Sequence, residues 1–131
     1  MAVWFIPEEI VPILHQDLLR RHGGRPGIRD KTLLASALAQ PRMKIGGRHL
    51  HRTVFAKAAA YGFHVCRNHP FVDGNKRVAF VLMVIFLDRN GWELQASEEE
   101  AYSAMMTLAA GRMTKAQLAN WLKRRSVRTP A

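Results

Sequence analysis

Ten consecutive residues, Val78–Leu87, carry no charged or strongly polar side chain, and this run limits the folds open to the chain more than any other feature. It is about half the length of a membrane span, so it reads as part of a protein core. Periodicity cannot separate strand from helix here. Length favours helix, and Asn90-Gly91 is a good C-terminal stop. A helix from about Lys76 to Arg89, apolar on every side, has to be enclosed by others. The expected architecture is mainly α: a compact helical bundle around one central buried helix.

The rest of the chain supplies the enclosure. Pro7 suits the first turn of a helix with Ile10, Ile13, Leu14 and Leu18 as its apolar face, ended by Gly23-Gly24. Arg25–Arg29, containing Pro26 and Gly27, reads as a loop. Asp30 can cap a second helix with the stripe Leu33, Leu34, Ala37 and Leu38, closed by Pro41. Arg42–Arg52 reads as irregular or as a short β-hairpin turning at Gly46-Gly47. Thr53 caps a helix to about Asn68, with Val54, Ala58, Tyr61, Val65 and Cys66 facing inward. Ser97 opens another, with Glu98, Glu99 and Glu100 in its first turn and Met105, Met106, Leu108 and Ala109 buried. Thr114 caps the last, which turns Leu118, Trp121 and Leu122 to the core. Val3–Ile6 and Trp92–Leu94 are expected to form a minor strand pair. The expected organisation is a single domain over residues 1–125 and a mobile basic tail, 126–131.

The single cysteine, Cys66, excludes an internal disulfide and a Cys-rich zinc site. On a helix beside apolar residues it reads as packing rather than as a nucleophile. No signal-peptide pattern occupies Met1–Phe5, and the expected location is the cytoplasm, with no membrane partner. Twenty Lys and Arg face ten Asp and Glu, a formal net charge of +10. No acid lies between Asp30 and Asp73 or after Glu100, so Asp73 is a solitary carboxylate in a long basic region. Such an excess favours nucleotides, nucleic acids or acidic protein segments as partners.

Chemistry concentrates in His69-Pro-Phe-Val-Asp-Gly-Asn-Lys-Arg77. A helix start presents unpaired N–H groups and a positive dipole end, which together bind phosphate. Gly74 lets backbone approach an anion, Asn75 can donate its side-chain amide to a phosphate oxygen, and Lys76 and Arg77 add fixed positive charge. Asp73 makes sense there if it holds Mg²⁺, which takes one or two carboxylates plus nucleotide phosphates. His69 belongs to the side-chain class that removes a hydroxyl proton near neutral pH. Anion cradle, metal carboxylate and base are the parts of phosphoryl or nucleotidyl transfer. Taken singly each has a bland reading, a turn or a wet face or an N-cap. Nine adjacent residues carrying all of them favour the chemical one.

The same nine residues, HPFVDGNKR, resemble the signature HPFx(D/E)GN(G/K)R of the Fic/Doc superfamily. Similarity continues through Gly27-Ile-Arg-Asp30, Leu33–Pro41, Lys57-Ala-Ala, Phe86-Leu-Asp-Arg-Asn-Gly91 and Ala110-Gly111…Trp121-Leu122, which look like the Doc (death-on-curing) branch. The resemblance implies a helical Fic/Doc fold and the toxin of a bacterial toxin–antitoxin pair. It implies His69 as general base, Phe71 as anchor of the loop, Asp73 as Mg²⁺ support, and Gly74, Asn75, Lys76 and Arg77 as phosphate cradle for ATP. AMP-transferring relatives usually have glycine in place of Lys76 and a second arginine in place of Phe80. Doc-type members share the pattern seen here and are similar to kinases that act on a threonine of elongation factor Tu. The expectation is thus transfer of the terminal phosphate of ATP, with AMP transfer as the alternative.

By the same resemblance Arg42–Arg52, with Ile45, Gly46, Gly47 and Arg48 at its tip, occupies the place of a target-docking flap. Self-inhibited relatives carry an (S/T)xxxE(G/N) helix. Ser97–Ala101 fails that pattern, so restraint is expected from a small antitoxin with an acidic segment. An RNA-cleaving or nucleic-acid-binding toxin is the further alternative. Six histidines and many cations suit it, but a metal–phosphate turn and few aromatic stacking residues do not. No direct DNA binding is expected of this chain alone.

Overall fold

The computed structural model describes residues 2–130. Six helices follow in order: α1 (Val11–His22), α2 (Lys31–Ala39), α3 (Val54–Asn68), α4 (Asn75–Arg89), α5 (Glu98–Ala109) and α6 (Lys115–Arg124). Two antiparallel strand pairs complete the fold. β1 (Lys44–Ile45) pairs with β2 (Arg48–His49), and β3 (Trp92–Leu94) pairs with β4 (Ser126–Arg128). The mainly helical architecture is the expected one, and Gly46-Gly47 turns the first hairpin.

Four of the six helices start at a side-chain cap. Asp30 accepts from Leu33 N–H, Thr53 from Ala56 N–H, Ser97 from Glu100 N–H and Thr114 from Gln117 N–H. At Ser97 and Thr114 the third helical residue bonds back, closing a reciprocal cap.

The centre of the bundle is a pair of helices rather than α4 alone. Lys57–Gly62 of α3 are six consecutive buried residues. Ala58, Ala59, Ala60 and Gly62 keep that segment slender, and Gly62 lies so close to Met83 Sδ of α4 that a Cβ has no room. α4 buries Val78, Ala79, Leu82, Met83, Phe86 and Leu87, while Phe80, Val81, Val84 and Ile85 are half-buried. Helix α6 packs on α3, and its Leu118 and Leu122 are fully enclosed.

Three local expectations are corrected. A 3₁₀ turn at Glu8–Ile10 delays α1, so its inward stripe is Val11, Leu14, His15 and Leu18, and Ile10 and Ile13 face water. On α5 the enclosed residues are Ala104, Met105 and Leu108, whereas Met106 and Ala109 are exposed. Val3–Ile6 is not a strand: Trp4 exchanges two backbone bonds with the side-chain amide of Asn90, and the Tyr61 hydroxyl accepts from Ile6 N–H. The partner of β3 is instead Ser126–Arg128, which lay in the expected tail.

Candidate active site

His69 ends α3 in a left-handed conformation, φ 49° and ψ 54°, the single positive φ outside glycine among the described residues. Such backbone is costly for a side chain with a Cβ and persists when surroundings impose it. The imposing group is Arg29, whose Nε donates to His69 O at 2.7 Å and whose Nη2 donates to Asn68 O at 2.8 Å. These are carbonyls that the end of α3 leaves unpaired. The imidazole of His69 is thereby turned outward, onto an open cavity.

Beyond His69 the loop is held on three sides. From within, Asn75 closes it: Phe71 N–H donates to Asn75 Oδ1 and Asn75 Nδ2 donates to Phe71 O, each at 2.9 Å, with Asn75 5% exposed. Both ends of this side-chain amide are thus engaged inside the loop, and the second N–H of Nδ2 is left for another acceptor. From below, Phe71 is fully buried, as an anchor should be. From the side, the Gly24–Asp30 segment runs along the loop. Val72 N–H donates to Gly27 O, the Arg29 and Asp30 amides donate to Pro70 O, and Ile28 bridges to Phe71.

Asp73 is exposed and aimed by backbone. Arg25 N–H donates to its Oδ2 at 3.1 Å and Gly74 N–H to its Oδ1 at 2.9 Å. Those two amides, that of Arg25 first, hold its carboxyl below the ordinary range. It is therefore ionised at neutral pH. Gly24 makes the approach possible: a Cβ there would lie 2.8 Å from Leu19 Cδ2 and 3.1 Å from Asp73 Oδ2.

Gly74, with φ 82°, turns the chain into α4. The first bond into that helix runs from Val78 N–H to Gly74 O at 3.0 Å, so the amides of Asn75, Lys76 and Arg77 have no acceptor in the helix. They form the positive end of a fifteen-residue helix. Lys76 and Arg77 are exposed beside them.

These groups share one cavity of about 550 Å³. One wall is charged and polar: His69, Asp73, Gly74, Asn75, Lys76 and Arg77. The rest of the lining is largely apolar and includes Phe80 one turn along α4 and Tyr102, Met105 and Met106 on α5. Cys66 also lines it, and burial pushes its thiol up to about 11, which removes it as a nucleophile near neutral pH. The hairpin tip Ile45, Gly46, Gly47 and Arg48 is exposed and does not line the cavity.

The donor set fits a magnesium ion that brings its own ligands. Asp73 is an ionised carboxylate with lone pairs left on both oxygens, and no three His, Cys, Asp or Glu side chains among the described residues gather as a closed metal cage. Mg²⁺ commonly takes one carboxylate and completes its shell with phosphate and water.

The motif residues could be read from sequence, but His15, Gly24, Arg25 and Arg29 could not. Their contacts to the loop span 40 to 58 positions. The one local signal was a histidine in an otherwise apolar inward stripe.

The family model described as Fic/DOC family matches residues 5–87. Toxin Doc of Mycolicibacterium smegmatis is 40% identical over 74 residues, which are 56% of this chain and 57% of that protein, so the match spans little more than half of that relative. Protein kinase doc of Escherichia phage P1 is 30% identical over 118 residues, 90% of this chain and 91% of the relative.

Proposed function

Because the chain belongs to the Fic/DOC family, and to its Doc branch, we propose that it is the toxin of a toxin–antitoxin pair and transfers the terminal phosphate of ATP, with Mg²⁺, to a protein hydroxyl. The proposed acceptor is a translation factor of the elongation factor Tu type, so that translation stops. One observation carries this reading: the unpaired amides of α4 open into the same cavity as His69 and Asp73.

The chain's own residues divide the work. Amides of α4, with Lys76 and Arg77, hold the phosphates and stabilise the charge that develops on them. Mg²⁺ at Asp73 would neutralise charge on the phosphate oxygens. His69 takes the proton of the acceptor hydroxyl as its oxygen bonds to the terminal phosphorus. The bond from that phosphorus to the bridging oxygen breaks, and ADP leaves with the electron pair. Lys76 narrows the anion site and Phe80, one turn on, offers no second cation, which favours the terminal phosphate as the group transferred. The names of the relatives, Toxin Doc and Protein kinase doc, support the same reading.

The antitoxin is proposed as an acidic segment from another chain. Among the described residues only Arg21–Asp17 and Arg125–Glu100 form ion pairs, which leaves most of the cations available to a partner. Incubation with ATP, Mg²⁺ and purified elongation factor Tu, followed by intact-mass measurement, tests the reaction. A phosphate-sized adduct on the factor is expected. An AMP-sized adduct would transfer the reading to the alternative, and no adduct on any translation factor would remove the kinase assignment.

A further inference from the structure

His15 lies on α1, 58 residues before Asp73, and is 3% exposed. Its ring stacks on Phe71 with centroids 3.9 Å apart and planes 14° apart. Its Nε2 lies 2.8 Å from the backbone oxygen of Asp73. A carbonyl only accepts, so Nε2 carries the proton and donates.

That bond acts on the Asp73–Gly74 peptide, whose atoms move as one rigid plane. On one side of the plane the carbonyl is held by His15. On the other, Gly74 N–H donates to Asp73 Oδ1. Rotation of this plane therefore carries the carboxylate with it. The carbonyl also has a competing partner. In a helix one residue longer, Asp73 O would accept from Arg77 N–H, four residues on. Here it does not, since α4 begins at Asn75 with the bond from Val78 to Gly74. The φ of 82° at Gly74 takes that oxygen out of the helical path, and His15 holds it away from the Arg77 amide.

We propose that His15 is a positioning residue for the reaction: by holding the Asp73 carbonyl it keeps the Arg77 amide open to phosphate and the Asp73 carboxylate pointed at the metal position. Phe71 fixes the imidazole by stacking, so the anchor of the loop and the tether of the carboxylate are one assembly. A purely packing role would be filled by any ring of this size. The tether needs the N–H. The inference rests on the phosphoryl-transfer reading for its meaning, although the geometry it describes belongs to the ligand-free protein.

The test compares His15→Phe, which keeps a ring against Phe71 and loses the donor, with His15→Gln, which restores a donor without the ring. Amide hydrogen exchange at Gly74 and Arg77 is followed in the ligand-free protein, and calorimetry gives the affinity for tripolyphosphate with Mg²⁺. In His15→Phe the expected changes are Gly74 exchange about 10-fold faster, slower exchange at Arg77, and affinity about 10-fold weaker, the worth of one lost hydrogen bond. His15→Gln should recover part of each. Unchanged exchange at both amides in a folded His15→Phe protein would overturn the proposal. So would failure of both variants to fold, which would make His15 a core residue only. If wild-type protein binds no magnesium polyphosphate, the phosphoryl-transfer reading fails by itself, and the exchange data still decide the tether.

Discussion

Two side chains in the motif do different kinds of work, and their substitutions should fail differently. His69 is exposed and lines the cavity, its backbone held by Arg29. His69→Ala should lower phosphate transfer by roughly 10²–10⁴-fold, the usual worth of a general base, while nucleotide affinity stays; single-turnover kinetics beside calorimetry separates the two. Asn75 is enclosed and satisfies both the N–H and the O of buried Phe71. Asn75→Ala strands that pair, at about 1–3 kcal/mol for each group. The measurement is the urea midpoint, which should fall along with activity, whereas His69→Ala should leave it in place. Sequence made the residue types of this loop plain, because chemistry was packed into nine neighbours. It did not reveal that the Asn75 amide closes its own loop, since that depends on loop geometry, which residue type does not disclose.

At the scale of elements, the α3–α6 contact carries an acid-sensitive cluster. Lys115 Nζ of α6 lies 3.1 Å from His64 Nε2 of α3. Burial first, then Lys115, lowers both His51 and His64 to about 4. Lys57, buried nearby, donates to His51 O at 2.6 Å and to Arg52 O. The unfolded chain protonates its histidines near 6.5 and the folded one resists until about 4. The stabilisation is therefore complete above pH 6.5 and is lost as pH falls from there to about 4. Denaturation curves at pH 7 and pH 5 should show this loss, and the double substitution His51→Gln with His64→Gln should flatten it. The β1–β2 hairpin gives a separate test. Deleting Gly46-Gly47 should impair transfer to a protein acceptor and spare nucleotide binding; equal loss of both would argue against a docking role. Caps made the element starts legible, as at Asp30, Thr53, Ser97 and Thr114. Facing was less so: a single tight turn at Glu8–Ile10 rotated the stripe of α1, and the cavity beside α5 left Met106 with no core to enter.

Across the whole molecule, residues 126–129 belong to the domain. Glu93 is opposite Val127 in the β3–β4 pair, Gln95 N–H donates to Arg125 O at 2.7 Å, Thr129 N–H donates to Gly91 O at 3.0 Å, and the Arg128 guanidinium covers the Trp92 ring at 4.8 Å. Truncation after Arg125 should lower stability by about 1–2 kcal/mol, from lost backbone bonds and the cation–π contact, measured as a drop in melting temperature. An unchanged melting temperature would return these residues to a dangling tail. Three-residue strands have no periodicity to read, and a pairing across more than thirty positions leaves no local trace, which is why this one was missed. The Gly24–Asp30 segment against the Pro70–Asp73 loop is the same kind of contact, made between the first quarter of the chain and its middle. A half-collapsed chain thus owns every chemically active side chain of the motif, yet lacks the contact that arranges them. Displacing residues 24–30 would remove the backbone bonds that hold Pro70, Val72 and the Asp73 carboxylate, without touching His69.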